Sequence, residues 1–225
     1  MSSVIFWTDI SNFPDPATDV KAIKGLPQDK IDKILRLKQV LSRKQSFCSL
    51  LMQKYVAEMY GKSLDDIYYG KRGKPLLEGV CFNISHSRNI VVCAVSDTPI
   101  GCDVEFIRKA PQSVAKRVFC EQELKTAKWL SPNDSDDRLF FRFWTAKESY
   151  TKFIGDGLAF SFKKIYLTLT PYKNQHNIFM VNGKISLILL KEYKIPKHED
   201  FVVFVCTEDR DFNAPLTRLF KKNLI

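Results

Sequence analysis

The stretch Ile100-Gly101-Cys102-Asp103-Val104-Glu105-Phe106 decides the fold of this chain. Its apolar and acidic side chains alternate, and this period of two predicts a β-strand. Because successive side chains on a strand point to opposite faces, Asp103 and Glu105 are predicted to share one face, roughly 6–7 Å apart along the backbone. Neighbouring carboxylates repel unless a cation lies between them, and a hard divalent ion such as Mg²⁺ binds carboxylate oxygens. A solvated strand face would explain the same two acids. Gly101 would allow a bend or the close approach of a ligand.

Length and composition indicate an ordinary globular protein. The chain has 225 residues, of which 45% are hydrophobic and 27% charged, so it can form one large domain or two small ones. Its longest apolar runs have the length of strands, and its first residues lack the pattern of a secretory signal. We therefore expect no membrane association.

The cysteines and histidines argue against a zinc site. The six cysteines are scattered among apolar neighbours without a CxxC pair, and the three histidines are too dispersed to complete a site. Such cysteines are typical of core residues in a reducing compartment, so we expect a cytoplasmic protein.

The net charge of +10 indicates an anionic partner. Nucleic acid, an acidic protein, an anionic lipid surface and a phosphorylated small molecule all fit this charge. The charge alone does not choose among them.

Two helices are predicted in the first third of the chain. One follows Pro27, and the second begins with Ser42 as its N-cap and ends at Gly61. These helices carry four basic residues that could bind an anion: Lys30, Lys33, Arg43 and Lys44. They could equally be solvated charges on the helix surfaces.

Residues 68–76 are predicted to form a flexible basic loop that contains Lys74. The loop lacks the G-x-x-x-x-G-K-[ST] spacing, which excludes a nucleoside triphosphate loop of that type. The segment Ser85-His86-Ser87 follows, before the apolar strand predicted at 90–95. A lone histidine is usually structural, but this one is flanked by two hydroxyl groups that could bind a ligand.

A helix is predicted from about Asp137 to residue 154, after a loop over Trp129–Asp137. Trp144, Glu148 and Lys152 are spaced four residues apart, so they are predicted to lie on one side of that helix. They could form a surface Glu–Lys pair. Alternatively, Glu148 is a third carboxylate for a metal site and Lys152 binds a phosphate.

Short strands are predicted near 165–170, 177–181, 184–191 and 201–207, with a hairpin turn at Asn182-Gly183. The sequence of residues 89–97 resembles that of residues 200–208. This echo suggests two similar α+β halves with residues 98–106 at their crossover, and ligands favour such junctions.

Four motifs together resemble the monomeric, Sfp-like type of the 4′-phosphopantetheinyl transferases. They occur in the family's order and at about its spacings over residues 27–160: Gly73-Lys74-Pro75, Phe82-Asn83-Ile84-Ser85-His86-Ser87, Ile100-Gly101-Cys102-Asp103-Val104-Glu105, and Trp144-x-x-Lys147-Glu148-Ser149-x-x-Lys152-x-x-Gly155-x-Gly157-Leu158. Cys102 departs from the family, which usually has Ile or Val there.

The resemblance implies an α+β fold of two pseudo-symmetric halves with the ligand cleft between them. The N-terminal half, residues 1–101, would bind the nucleotide of coenzyme A, and the C-terminal half, residues 102–225, would carry the metal site and the catalytic helix. The implied reaction is Mg²⁺-dependent transfer of 4′-phosphopantetheine from coenzyme A to a serine of an apo acyl or peptidyl carrier protein, releasing adenosine 3′,5′-bisphosphate. A monomer is expected.

The resemblance also implies roles for individual residues. Asp103, Glu105 and Glu148 would bind the metal, and Lys152 would hold the pyrophosphate. Either Glu148 or a metal-bound water would be the base, and Glu123 would concern proton transfer or the metal's surroundings. The residues implied to bind coenzyme A are Lys30, Lys33, Arg43 or Lys44, Lys74, Ser85, His86 and Lys152.

Three other classes of protein fit part of these observations. A nucleic-acid-binding protein fits the charge but leaves the three acids unexplained, and the sequence has no RNA-recognition or zinc-finger signature. A Mg²⁺-dependent phosphohydrolase would share the acids and transfer the group to water. A non-catalytic carrier-binding protein would not need intact acids.

Overall fold

The computed structural model describes residues 3–70, 73–155, 160–168, 175–186, 188–209 and 211–225, with the backbone only at 112, 116, 117 and 175–179. In these segments the α-helices are α1 (Gln28–Leu35), α2 (Val40–Met59), α3 (Gln112–Val118), α4 (Glu121–Leu130), α5 (Asp136–Ile154) and α6 (Lys221–Leu224). The strands are β1 (Val4–Asp9), β2 (Tyr68–Tyr69), β3 (Pro75–Leu76), β4 (Cys81–Ser87), β5 (Ile90–Ser96), β6 (Ile100–Phe106), β7 (Ile165–Leu167), β8 (Gln175–Val181), β9 (Lys184–Ile185), β10 (Leu189–Tyr193), β11 (Phe201–Thr207) and β12 (Leu216–Arg218).

The first sheet has the strand order β12-β1-β5-β4. Strand β5 pairs antiparallel with β1 and β4, and β12 pairs parallel with β1. Every residue of β5 is buried, which is expected of a central strand with both faces covered. Apolar side chains of α2 cover one face of this sheet, where Phe47 and Val56 pack in the same core as Phe6 and Val91.

The second sheet has the order β6-β11-β10-β8-β7, with β9 paired to β8. Its central strand β11 is also buried throughout. Helix α5 covers one face of it, where Phe141 and Phe143 share a core with Val202 and Phe204.

A third apolar core lies between the two sheets. It joins Trp7 of β1 and Val92 of β5 with Val104 of β6 and Val203 of β11. Each sheet therefore has one face against its helix and one face toward the other sheet.

Strand β6 is an edge strand whose free side is covered by side chains. Three alternate residues of β4 accept from successive free backbone N–H groups of β6: Asn83 Oδ1 from Cys102 (2.8 Å), Ser85 Oγ from Val104 (3.4 Å) and Ser87 Oγ from Phe106 (3.0 Å). We call this arrangement the side-chain ladder. It satisfies edge donors that would otherwise need a further strand or water.

The strand at 100–106 and the helix ending at 154 are confirmed, as is the hairpin, where Asn182 and Gly183 both have positive φ. Three predicted elements differ from the structure. The single strand predicted at 184–191 is two strands, β9 and β10. Helix α2 begins at Val40 rather than after Ser42, and its N-cap, Gln39, makes no side-chain cap hydrogen bond. Trp129 belongs to α4 rather than to a loop.

The predicted loop at 68–76 contains a short β2–β3 pair, and its residues 71 and 72 lie outside the described segments. The mixture of helices and sheets agrees with the predicted α+β class, whereas the pseudo-symmetry and the division at 101/102 stay predictions. None of the helices in the described segments has the length and apolar character needed to cross a bilayer.

Candidate active site

Strand β6 places Asp103 and Glu105 on one face, as predicted, and β4 holds both carboxylates. The hydroxyl of Ser85 donates to Asp103 Oδ1 at 2.7 Å, and that of Ser87 donates to Glu105 Oε2 at 3.0 Å. The acids therefore have defined orientations, because each is tied to a residue of the side-chain ladder.

Gly101 brings α5 against this strand. A Cβ atom at this position would lie within 2.8 Å of Phe153 Cα and would clash still harder with the Ser149 carbonyl oxygen. The glycine was predicted to permit a bend or a ligand. The structure shows that it permits the close approach of a helix backbone instead.

Helix α5 carries three side chains to the same place. Ser135 caps its start by accepting from the Arg138 N–H, and Gly155 ends it in the left-handed conformation with φ 78°. Between these ends, Trp144, Glu148 and Lys152 follow one side of the helix.

These elements enclose one cavity of about 300 Å³. Its lining comes from β4, β6 and α5 and comprises Ile84, Ser85, His86, Asp103, Glu105, Trp144, Glu148 and Lys152. Six of the predicted site residues thus meet in one place.

Lys152 is the centre of the polar contacts in this cavity. Its ammonium donates to Asp103 Oδ1 at 2.6 Å and to Ser85 Oγ at 2.8 Å. Burial lowers the pKa of Lys152, but nearby Asp103, Cys102 and Glu148 outweigh that effect and hold the pKa above its usual value. Lys74 donates from Nζ to the backbone carbonyl of Lys152 at 2.8 Å, so it contacts the end of α5 next to the cavity.

Glu148 and Glu105 have raised pKa values. Burial raises the pKa of Glu148 to about 7, with a further increase from Asp103 and a partial decrease from Lys152. Burial and Asp103 also raise the pKa of Glu105, against the hydrogen bond from Ser87 and the nearby Arg108. Such shifts arise where carboxyl groups are withdrawn from water and lie near other negative charges.

The donor set fits a hard cation. Two buried carboxylate oxygens, Asp103 Oδ2 and Glu148 Oε1, have no hydrogen-bond partner among the residues that the structure describes. Oxygens of this kind are the ligands of Mg²⁺. Within the segments that the structure covers, however, no three Asp, Glu, His or Cys side chains already form a metal-binding group. Lys152 lies against Asp103 and Arg108 lies 3.4 Å from Glu105, so the acids would have to close around an ion.

His86 lies at the exposed rim of the cavity. Partial enclosure and the neighbouring Lys152 ammonium lower the pKa of His86. The imidazole can therefore accept or donate a hydrogen bond to a ligand that enters here.

The structure does not bring Lys30 and Lys33 to this cavity. They line another one, of about 420 Å³, together with Tyr69. Lys30 Nζ lies 5.6 Å from the Tyr69 ring centroid, a cation–π contact. Lys33 is an exposed partner of Asp29.

Arg43 and Lys44 differ in how many hydrogen bonds they make to described residues of the protein. Arg43 donates to both carboxylate oxygens of Asp15, at 2.8 and 2.5 Å, and to the Leu37 and Lys38 carbonyls. Lys44 makes one hydrogen bond, to the Ser11 carbonyl at 3.2 Å. Their roles as coenzyme ligands stay predictions, and of the two Lys44 has the more available donors.

Glu123 lies apart from the cavity that holds the other acids. It is buried, it accepts from the Cys120 and Leu167 N–H groups, and it forms a fully buried ion pair with Lys147 at 2.9 Å. These contacts are structural, so they give no support to the predicted catalytic role of Glu123. In the sequence Lys147 is only one residue of a motif, and its burial with Glu123 cannot be predicted from the spacing of that motif.

The size of a cavity does not by itself identify the functional site in this protein. A larger cavity of about 560 Å³ is lined by parts of α4 and α5, including Leu124 and Phe140, and by residues that precede α4, including Phe119. Its charged residues include Lys128 and Asp136, which pair with each other at 3.0 Å. It has no convergent group of unpartnered carboxylates, so the chemistry favours the smaller cavity.

Sequence reasoning missed the positions of Ser87 and Asn83 in the site. The available signal was the alternation of polar residues at 83, 85 and 87, which places three hydrogen-bonding side chains on one face of a strand.

Comparison with known proteins gives consistent matches. Residues 99–206 match the sequence model of the 4′-phosphopantetheinyl transferase superfamily. Over 112 residues the chain is 42% identical to the 4′-phosphopantetheinyl transferase HetI of Nostoc sp. (strain PCC 7120 / SAG 25.82 / UTEX 2576), with 46% of each chain covered. Over 114 residues it is 38% identical to the 4′-phosphopantetheinyl transferase gsp of Aneurinibacillus migulanus, covering 48% of this chain and 47% of that one.

These two matches span about half the length of the relatives. A longer match, with 28% identity over 183 residues, covers 78% of this chain and 79% of the 4′-phosphopantetheinyl transferase Sfp of Bacillus subtilis (strain 168).

Proposed function

We propose that this protein transfers the 4′-phosphopantetheine arm of coenzyme A to a serine hydroxyl of an apo carrier protein, because residues 99–206 match the sequence model of the 4′-phosphopantetheinyl transferase superfamily. The bond that forms joins the serine oxygen to the phosphorus that bears the arm. The bond that breaks is the diphosphate P–O bond, and adenosine 3′,5′-bisphosphate leaves.

One observation carries the proposal: Asp103, Glu105 and Glu148 line a single cavity with Lys152. Three acids and a lysine from separate segments are the groups that a diphosphate with a bound cation requires. A nucleic-acid-binding surface would not need buried carboxylates without partners.

Asp103, Glu105 and Glu148 are the residues that would hold Mg²⁺. When bound, Mg²⁺ would supply positive charge to the diphosphate oxygens as the P–O bond breaks. The unpartnered oxygens of Asp103 and Glu148 support this assignment.

Lys152 would bind the diphosphate as a compact positive charge. It is already held in the cavity by Asp103 and Ser85, so binding a diphosphate would exchange its contact with Asp103 for contacts with phosphate oxygens and would leave that carboxylate to the cation. A serine hydroxyl becomes a good nucleophile only when a base takes its proton. Glu148 is our candidate for that base, because its carboxylate lines the cavity beside the other acids.

His86 and Lys74 would bind the nucleotide part of coenzyme A, since one lies at the cavity rim and the other contacts the end of α5. The chain's net charge of +10 would attract an acidic carrier protein to this side through long-range steering. We propose that the protein acts as a monomer in the cytoplasm.

The deciding experiment incubates the chain with coenzyme A, Mg²⁺ and a panel of apo carrier proteins. Intact-mass spectrometry should show one carrier gaining a single phosphopantetheine arm. Cleavage of coenzyme A with an unmodified carrier would indicate a phosphohydrolase instead, and a carrier bound but unmodified would indicate a non-catalytic binder.

Glu148→Gln should reduce the transfer rate by at least about 100-fold, since it removes both a cation ligand and the candidate base. Folding should persist, because glutamine has the same size and Glu148 Oε1 has no hydrogen-bond partner among the described residues. Glu58→Gln, which alters an exposed Glu–Lys pair of α2, is the matched control and should keep wild-type rates. Equal activity in Glu148→Gln and the control would contradict the site assignment.

A further inference from the structure

Ser87 touches the acid cluster without lining the cavity. It is a buried residue at the end of β4, with 9% of its surface exposed. Its hydroxyl donates its one hydrogen to Glu105 Oε2 at 3.0 Å and accepts from the Phe106 N–H, also at 3.0 Å. Both bonds fix the hydroxyl in one orientation, because the backbone donor comes from the strand that carries Glu105.

Ser85 contacts Asp103 in the same way as Ser87 contacts Glu105, but it makes more hydrogen bonds. Its hydroxyl donates to Asp103 and accepts from both the Lys152 ammonium and the Val104 N–H. Replacing Ser85 would therefore disturb an acid, a lysine and the ladder together. Ser87 contacts one acid and one backbone N–H but no lysine, so a substitution there disturbs fewer groups of the site than one at Ser85.

Glu105 depends on this contact for its orientation. Its ionic partner among the described residues is Arg108, which approaches the same oxygen at 3.4 Å with a side chain that is 47% exposed. The Arg108 guanidinium also lies over the Phe141 ring, 4.9 Å from the centroid. Without Ser87, the remaining attraction on Glu105 would come from Arg108, at the exposed side.

We propose that Ser87 is a positioning residue, which acts through Glu105 and sets the affinity of the acid cluster for a divalent cation. The inference rests on the proposed function, in which Asp103, Glu105 and Glu148 hold that cation. Residues that orient metal ligands typically change metal affinity or activity by about 10–100-fold when they are removed.

The test measures Mn²⁺ binding to the full chain by calorimetry at constant pH, with and without coenzyme A. Ser87→Ala should weaken Mn²⁺ binding by about 10-fold or more, whereas Ser87→Thr, which keeps the hydroxyl, should stay within about threefold of wild type. The matched control is Ser96→Ala. Ser96 is a buried serine of β5 whose partners, Ser3 and Thr98, lie outside the cavity.

A double-mutant cycle shows whether Ser87 acts through Glu105. In a Glu105→Gln background, Ser87→Ala should cause little further loss of Mn²⁺ affinity, because its partner is already altered. In steady-state transfer, kcat should fall at a fixed Mn²⁺ concentration while KM for coenzyme A changes by less than about threefold. If Ser87→Ala does not fold, Ser87→Cys serves instead, since it fills similar space with a weak donor.

The inference is overturned if Ser87→Ala binds Mn²⁺ as tightly as the wild type, or if its loss is fully additive with Glu105→Gln. A wild-type chain that transfers the arm but binds no Mn²⁺ under either condition also overturns it. Failure of the proposed function would look different, because the wild type would then modify no carrier whatever residue stands at position 87.

Discussion

Two lysines of one helix show how single side chains in this protein acquire different roles. Lys147 is fully buried and donates to the Val118 carbonyl, Glu123 and the Phe162 carbonyl. Lys152, little more than one turn later, retains 26% exposure at a cavity. Burial lowers the pKa of Lys147, whereas the acids around Lys152 raise the pKa of that residue. The first lysine is committed to the fold and the second is available to a ligand.

Glu123→Gln should therefore destabilise the protein by about 3 kcal/mol, because it leaves the buried Lys147 charge without a counterion. The matched control, Glu58→Gln, disrupts an exposed pair and should cost under about 1 kcal/mol. Urea denaturation followed by circular dichroism measures both. If instead Glu123→Gln kept full stability and lost transfer, Glu123 would belong to the chemistry after all.

Several site residues could be predicted from sequence because a strand or helix period fixes which side chains share a face. Asp103 with Glu105, and Glu148 with Lys152, follow from local geometry alone. The environment of Glu123 could not be predicted in this way. Its partners Lys147 and Leu167 are 24 and 44 residues distant along the chain, and only the tertiary packing brings them together.

Among the elements, the contact between β6 and α5 controls the geometry of the site. The helix places Glu148 and Lys152 beside Asp103 only because its backbone can approach Gly101. A strand pattern can reveal that a glycine is unusual but cannot reveal what approaches it. For this reason the sequence-based interpretation of Gly101 named a ligand where the structure has a helix.

Gly101→Ala should destabilise the protein by about 1–3 kcal/mol, since the added methyl group meets the backbone of α5 and the helix must move. Transfer should fall more than stability alone explains, because Glu148 and Lys152 move with the helix. Gly70→Ala is the matched control, since the new methyl group there would meet a flexible side-chain atom, Leu76 Cδ1, at 3.3 Å. Thermal melts and transfer rates should be measured on both variants. Equal stability and equal transfer rates in Gly101→Ala and Gly70→Ala would refute the role assigned to Gly101.

Element boundaries were harder to predict than element types. The start of α2 was placed at Ser42 because serine is a favourable N-cap. In the structure the helix begins two residues before Ser42, with no side-chain cap. The added residues Val40 and Leu41 are exposed, so packing does not hold them, and the start of the helix is fixed by the backbone hydrogen bond from the Arg43 N–H to the Gln39 carbonyl at 3.0 Å.

At the scale of the whole molecule, the C-terminal residues pack against the N-terminal strand. Strand β12 pairs with β1, and Leu219 and Leu224 are buried in the core between α2 and the first sheet. The N-terminal sheet is therefore completed by C-terminal residues. No pattern within either end of the sequence indicated this pairing, because it joins segments about 210 residues apart.

Leu224→Ala should lower the free energy of unfolding by about 2–4 kcal/mol, because it leaves a cavity in that core. Ile225→Ala, at a residue that is 47% exposed, should change it by less than about 0.5 kcal/mol. Chemical denaturation gives both values. Hydrogen exchange should also become faster in β1 and β5 of Leu224→Ala, and protection equal to that of the wild type would show that the chain end is dispensable to the sheet.

The side-chain ladder limits how this protein can exchange parts with its relatives. A chimera with its crossover between residues 88 and 99 would inherit Ser85 and Ser87 from one parent and their carboxylate partners from the other. Such recombinants should be functional only when both parents carry compatible residues at all of these positions, and breakpoints outside 83–106 should be tolerated better. The segment 83–106 is therefore expected to be inherited as one block.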